Sequence, residues 1–413
     1  MRAVHVSALA LACRCSASAA GASWAHGWGN LQSMMWADFH SPRLLTDDDA
    51  RWLATHYSIL SLEKCTGRRD GMKTEDAVYA TAAQLKRFNK DVKVLMYWAV
   101  DGQGTADCYR AGQALEGRHP EFHLLDASGG RVPAGAGRHA LDYRREEVRR
   151  WWASVPLSSP SAPANAAALI DGVLADGVGL GQLANAGLDE TVKADWLAGQ
   201  YKMLDEMRAV FGAANGGLVA GNGIFMDSFS PDRDLEALEH TNGALFEHFA
   251  AFESRVKNTG ELNKTRVAES IALVAEVAAK GKVVLVNFWP GPVVEPSGWA
   301  GRATPTTNEG RAEALIHYWD FTVAAFLIMV EPTVFFEYAW WYPISNGVMP
   351  CANQSQTAHC WGPPHWYDGR HVYQPLGAPL GAAVRDADGA YRWTRSFEHA
   401  DAVLDLDAPE RSS

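Results

Sequence analysis

Eight short apolar runs recur along the chain, each of strand length and rich in β-branched or aromatic residues. They are Leu31–Phe39, Tyr57–Glu63, Val92–Trp98, Asp171–Asp176, Gly217–Asn222, Gly243–Phe249, Val283–Trp289 and Thr333–Tyr338. Each of the seven intervals between them has room for a helix, and several carry helix signals. Thr46 precedes three aspartates and caps a helix through Ala54. Thr74-Glu75-Asp76 opens another that continues to Phe88. Asn308-Glu309-Gly310-Arg311 opens a third leading to Val330, and a fourth spans Glu269 to Ala279 before Lys280-Gly281. Acids in a first turn, with a basic turn and glycine at the end, match the helix dipole and its capping needs. Strand and helix in strict alternation predict a (β/α)8 TIM barrel, ahead of an open doubly wound sheet.

Two stretches depart from that rhythm. The interval from about 99 to 170 is too long for one helix and contains the Pro/Ser/Ala-rich SSPSAPANAA, so a long insertion between strands 3 and 4 is expected, with that segment as an exposed loop. After the eighth run, Tyr391-Arg392-Trp393 and Ala402–Leu406 read as short strands. The expected organisation is a signal peptide over 1–22, a catalytic barrel over 23–345, and a C-terminal loop and small β extension over 346–413 packed on the barrel.

The first twenty residues, with a basic start, a modest apolar stretch and a small-residue run, resemble a secretory signal peptide. Four cysteines lie beyond it: Cys65, Cys108, Cys351 and Cys360, an even count that fits two disulfides. Cys65 follows strand two and Cys108 strand three, so they fall in neighbouring loops; Cys351 and Cys360 would close a short segment. The sequons Asn263-Lys264-Thr265 and Asn353-Gln354-Ser355 fit a secreted glycoprotein. Net charge is −11, from 37 Lys+Arg against 48 Asp+Glu, and no basic stripe offers a nucleic-acid footprint. Phe321–Val330 is the longest clean apolar run, too short for a membrane span. Nothing in the sequence specifies an oligomeric state.

In a barrel, chemistry gathers where strands end at the C-terminal face. Strand ends here supply Asp38, Glu63 and Lys64, Trp98, Asp176, Asn222, Glu247 and His248, Asn287 and Trp289, and Glu337 with Trp340 and Trp341. Asp227, beyond the fifth strand, is a candidate sugar contact. Asp171 opens the fourth strand at the opposite end and reads as structural. No P-loop, dinucleotide fingerprint or Gly-x-Ser-x-Gly elbow occurs, and no cofactor is implied. Paired carboxylates with aromatic walls suit glycosidic-bond hydrolysis, one acid protonating the leaving oxygen while the other attacks the anomeric carbon or activates water. Most of the 16 Trp read as large core residues, and the remainder offer flat faces on which sugar rings stack. The expected partner is an oligo- or polysaccharide. Two alternatives stand beside this: a catalytically silent carbohydrate-binding barrel, and a metal-dependent hydrolase or lyase using Asp38, Glu63 and a histidine.

Several motifs sharpen the choice. Leu141-Asp142-Tyr143, then Glu147-Val148-Arg149-Arg150-Trp151-Trp152, then Asp171-Gly172-Val173-Leu174-Ala175-Asp176-Gly177 follow one another in order. Gly243 to Phe249 and the tail Pro375-Leu376-Gly377-Ala378-Pro379-Leu380-Gly381 with Tyr391, Arg395 and Phe397 complete the series. Over residues 33 to 406 the chain resembles the glycosyl-hydrolase barrel families related to the α-galactosidase (melibiase) superfamily. That resemblance implies a retaining glycoside hydrolase with Asp176 as nucleophile and Glu247 as general acid/base. Glu337 is the alternate acid, and Asp38, Glu63, Lys64, Trp98, Asn222, Asp227, Asn287, Trp289, Trp340 and Trp341 are candidate substrate contacts.

Overall fold

A computed structural model describes residues 24–29, 31–37, 45–100, 108–134, 139–183, 186–225, 235–249, 262–288, 317–338, 375–386, 390–408 and 412. All eight expected strands form: β1 (Met34–Ala37), β2 (Ile59–Leu62), β3 (Lys93–Ala99), β4 (Gly172–Asp176), β5 (Leu218–Gly221), β6 (Gly243–Phe249), β7 (Val283–Phe288) and β8 (Val334–Tyr338). They pair in parallel in sequence order, β1 to β8. The seam between β8 and β1 is bridged at Ser33 and Phe336, where Phe336 N donates to Gln32 O at 3.0 Å.

Helices α1 (Asp47–His56), α2 (Thr74–Phe88), α3 (Arg110–Arg118), α4 (Glu146–Ser158), α5 (Ala166–Leu169), α6 (Glu190–Asn215), α7 (Ala237–His240), α8 (Lys264–Ala279) and α9 (Trp319–Met329) fill the connections. Thr46 closes a reciprocal capping box on α1: its hydroxyl accepts from Asp49 N while Asp49 accepts from Thr46 N. That satisfies two donors the first helical turn would otherwise leave open. Helix α2 spans the expected residues end to end, and its Glu75 turns out to serve a neighbour. Both Glu75 oxygens accept backbone N–H groups, from Arg110 and Ala111, at the N-terminus of α3.

The interval between β3 and β4 is folded rather than open. It holds α3, a short antiparallel ladder pairing His123 with Leu141, Leu125 with Arg131 and Pro133 with His139, then α4 and α5. The segment expected as one exposed loop is divided: Ser158 ends α4 and Ala166 begins α5, leaving 159–165 as the connection.

Two apolar layers explain the closure. Inside the strands lie Met34, Ile59, Leu95, Leu174, Leu218, Leu245, Leu285 and Phe335, with Trp24 below them. The outward residues pack against the helices in a larger second layer. With both faces covered, the strands read as continuous apolar runs rather than alternating ones. The C-terminal extension is a three-stranded antiparallel sheet, β9 (Val384–Arg385), β10 (Arg392–Ser396) and β11 (Asp401–Asp405), in the order β11-β10-β9. Arg395 of β10 docks it onto α9. Its guanidinium donates to the carbonyls of Leu327, Ile328 and Val330, which the helix end leaves without intrahelical partners, and pairs with Glu331 at 3.0 Å.

Candidate active site

Successive strand residues face opposite sides, so each inward position fixes the next one two residues on. From the inner apolar layer, one such step leads to Trp36 on β1, Tyr97 on β3, Asp176 on β4, Glu247 on β6, Asn287 on β7 and Glu337 on β8, and two steps, past Ser61 and Ala220, lead to Glu63 after β2 and Asn222 after β5. One polar layer therefore caps the apolar interior at the C-terminal face, and its members bond to one another.

Asn222 sits at the centre. Its Nδ2 donates to Asp176 Oδ1 at 2.8 Å and to Glu247 Oε2 at 2.7 Å, legs that sum to 5.5 Å, so these two oxygens lie no farther apart than that. The orientation of the amide is fixed from behind, because its Oδ1 accepts Gly223 N at 3.0 Å. Gly223 has φ +101, and a Cβ there would stand 2.4 Å from Val178 O, so this tight turn needs glycine. The other Asp176 oxygen, Oδ2, accepts the Tyr97 hydroxyl. Lys64 Nζ lies 4.6 Å above the Tyr97 ring, 3.5 Å from its hydroxyl and 3.2 Å from Glu63 Oε1. Trp36 stacks near-parallel on Tyr97, ring centres 6.1 Å apart.

A second bonded group spans β6 to β1. Asn287 Nδ2 donates to Glu337 Oε2 at 2.8 Å, and Trp36 N donates to Glu337 Oε1 at 2.7 Å. Glu337 thus supplies a side-chain acceptor to β1 across the seam. Asn287 Oδ1 meets the backbone N–H of His248 at 3.5 Å. There β6 bulges: its pairing with β7 slips between Phe246 and Phe249, and His248 takes a left-handed φ of +58. The bulge brings His248 Nε2 to 3.2 Å from Glu247 Oε1.

Burial and charge separate the carboxyls. Burial pushes Glu63 up to about 7 and Glu337 up to about 8, since neither meets enough compensating charge. Burial also pushes Glu247 upward, but the adjoining His248 and the Asn222 N–H outweigh it and hold Glu247 below the ordinary carboxyl range. Burial would lower Lys64, yet Glu63 and Asp176 outweigh it and raise the ammonium above its usual value.

Of the expected site residues, Asp176, Asn222 and Glu247 bond directly, and Lys64 reaches Asp176 through the Tyr97 hydroxyl. Glu63, Asn287 and Glu337 belong to the same layer but are buried and turned to neighbouring protein groups, the first toward Lys64 and the other two toward each other. Trp98 is a correction. It occupies the outward parity of β3, is fully buried against the helices, and donates Nε1 to Trp152 O at 3.2 Å. Its neighbour Tyr97 takes the inward place. Asp171 is structural as expected, accepting Lys86 Nζ at 2.7 Å and Val94 N at 2.9 Å. Asp38, Asp227, Trp289, Trp340, Trp341, Cys351 and Cys360 lie outside the described residues, as does the segment 1–22. Cys65 and Cys108 are joined by a disulfide. Among the described residues, no group of three or more His, Cys, Asp or Glu side chains is arranged to hold a metal ion.

A (β/α)8 barrel whose C-terminal mouth gathers carboxylates held by an asparagine and a tyrosine defines the class of barrel glycoside hydrolases. Residues 86–401 match hypothetical glycosyl hydrolase family 15, and the chain belongs to that family. Among solved structures, the fold is similar to a noncanonic maltogenic α-amylase from Thermotoga neapolitana, with TM-score 0.54 and 12% identity over 92% of this chain and 86% of that one. It is also similar to an α-amylase from Lactobacillus plantarum, with TM-score 0.51 and 13% identity over 92% and 89%. A GH27 β-L-arabinopyranosidase from Geobacillus stearothermophilus aligns with TM-score 0.46 and 10% identity over 91% and 84%. No curated protein matches the chain. The family places the chain among glycoside hydrolases, and the two α-amylase structures speak to its fold.

Proposed function

We propose that the chain cleaves O-glycosidic bonds of an oligo- or polysaccharide with retention, using Asp176 as nucleophile and Glu247 as general acid/base. The observation that carries this reading is the single Asn222 nitrogen bonded to both carboxylates. Retaining enzymes hold the pair about 5–5.5 Å apart, whereas inverting ones leave about 6.5–9.5 Å for a water. The bound of 5.5 Å set by the two Asn222 hydrogen bonds favours the former.

In the first step an Asp176 oxygen forms a bond to the anomeric carbon as the exocyclic C–O bond breaks, and the departing oxygen takes a proton from the Glu247 carboxyl. In the second step Glu247 accepts a proton from water as its oxygen displaces Asp176, which leaves as a carboxylate. Tyr97 and Asn222 each donate to Asp176 in the free protein, aligning it and sharing its charge. Neither donor changes charge during the cycle, so both remain available to receive the carboxylate when it leaves.

The test uses a panel of 4-nitrophenyl glycosides and polysaccharides with the wild type, Asp176→Asn and Glu247→Ala. Hydrolysis by the wild type, its loss in Asp176→Asn and its recovery by azide in Glu247→Ala support the assignment. Binding of glycans without turnover by the wild type would favour the carbohydrate-binding barrel instead.

We further propose a secretory route, for which the Cys65–Cys108 disulfide is the support, since disulfides persist in oxidising compartments. Protein recovered from the medium should begin near Ser23; a retained Met1 would count against this.

A further inference from the structure

Among the described residues, the non-glycine positions with left-handed backbone are Cys65, φ +60, and His248, φ +58. His248 directly follows Glu247 of the polar layer, and Cys65 follows Lys64, the residue next to Glu63 of that layer. Such conformations are unfavourable for residues other than glycine and persist where the surroundings hold them, commonly at functional sites. At His248 the geometry shows what the distortion achieves. In a regular strand the residue after Glu247 would turn its side chain away from the mouth. The bulge returns the imidazole, and Nε2 stands 3.2 Å from Glu247 Oε1 with the two side chains only 9% and 11% exposed. Asn287 holds the bulge by its contact with His248 N and is itself held by Glu337. Among the described residues, Lys64 and Glu337 are charged groups that act on Glu247 from other strands, and Asp176 is tied to it through Asn222.

We infer that Glu247 and His248 form one protonic unit, in which His248 holds the catalytic proton as an imidazolium against an ionised Glu247 between turnovers. This rests on the reading of Glu247 as acid/base. It also resolves a conflict in that reading, because a general acid must deliver a proton while the surroundings of Glu247 favour its ionised form. The unit enters the cycle with one proton. As the glycosidic C–O bond breaks and the bond to Asp176 forms, His248 Nε2 returns the proton to Glu247, which passes it to the departing oxygen. The unit is then an ionised Glu247 beside a neutral imidazole. When water attacks and Asp176 leaves, the water proton reloads the unit, so each cycle consumes one water and no other reagent. His248 touches Glu247 rather than sugar and is a positioning residue.

The one-proton state has two forms, with the proton on either partner. Removing the imidazole deletes one form, so the remaining carboxyl empties at lower pH than the pair does. The experiment follows the full chain with ring-15N histidine by NMR, alongside kcat/KM against pH on the 4-nitrophenyl glycoside that the wild type turns over. In the wild type near neutral pH, an imidazole protonated on both nitrogens is expected, absent from His248→Gln and with its pKa lowered by about one unit or more in Glu247→Gln. The alkaline limb of kcat/KM is expected to fall by about one pH unit or more in His248→Gln, with the acid limb unmoved. His248→Asn, whose side chain tolerates left-handed backbone, supplies the same comparison if the Gln variant does not fold. An imidazole that is neutral near neutral pH with Glu247 present, or a loss of rate equal at every pH, overturns the inference. Full activity in Glu247→Ala would instead defeat the acid/base reading, and the NMR titration would still decide whether the pair shares a proton.

Discussion

Asp176 has a bond to each oxygen, one from Asn222 and one from Tyr97, and these two donors should separate in their effects. Asp176→Asn is expected to lower turnover by about 10³-fold or more while the unfolding curve stays close to wild type. Tyr97→Phe, losing one donor to a charged acceptor, should reduce kcat by roughly 10-fold with KM little changed; a rise in KM alone would mean Tyr97 contacts sugar. The acids were legible in the sequence because strand ends at one barrel face converge. The partners of those acids were not. In Val92–Trp98 both faces are apolar, so the run does not say whether Tyr97 or Trp98 points inward; only pairing with β2 and β4 decides. His248 was harder still, since no residue in Gly243–Phe249 signals a bulge and a strict two-residue period turns it away from the mouth.

At the scale of elements, local chemistry foretold much of the structure. Thr46 and its aspartates mark α1, Thr74 starts α2, and Lys280-Gly281 ends α8, with Gly281 at φ +75. The ladder inside the insertion also had a signal, Asp126-Ala127-Ser128-Gly129-Gly130, a turn in which Asp126 accepts from Ser128 N and Gly130 N and Gly129 has φ +83. What hid it was its length, since its paired residues are isolated bridges rather than a strand-length run. The disulfide fastens the segment after β2 to the segment after β3, whose next residue, Tyr109, donates to Tyr97 O at 3.3 Å. With the cysteines 43 positions apart in sequence, chain entropy gives about 4 kcal/mol as the stabilisation lost in a Cys65→Ser, Cys108→Ser variant. Denaturant unfolding measures it, and an unchanged midpoint would contradict the estimate. At Gly172 a Cβ would meet Leu218 O at 2.0 Å, so Gly172→Ala should force β4 from β5 and lower the unfolding midpoint.

The whole molecule couples stability to the same polar layer. Glu63 and Glu337 hold protons in the folded chain up to about 7 and about 8, against the ordinary 4.5 of a glutamate side chain. Between the ordinary carboxyl range and those values the folded state binds more protons than the unfolded one, so stability is fully present on the acid side and is lost as pH rises through the folded values. Thermal unfolding should therefore shift to lower temperature from mildly acidic to mildly alkaline pH. Glu337→Gln should flatten that slope, and a slope equal to wild type would show that Glu337 does not titrate there. The barrel was legible from its alternation and the docked sheet from Tyr391-Arg392-Trp393 and Ala402–Leu406. The polar layer as a connected network was not, because its bonds join residues up to 301 positions apart, as between Trp36 and Glu337.

Retention through Asp176 requires that its carboxylate become covalently bound to sugar during the cycle. Incubating the protein with 2-deoxy-2-fluoroglycosyl fluorides of different sugars, which slow the release of such an intermediate, and mapping the peptides by mass spectrometry tests it most directly. A fluoroglycosyl adduct is expected on the peptide that carries Asp176, absent from Asp176→Asn and formed with a sugar whose glycosides the wild type hydrolyses. An adduct on another carboxylate such as Glu337, or release of product with inverted configuration and no adduct, would contradict it.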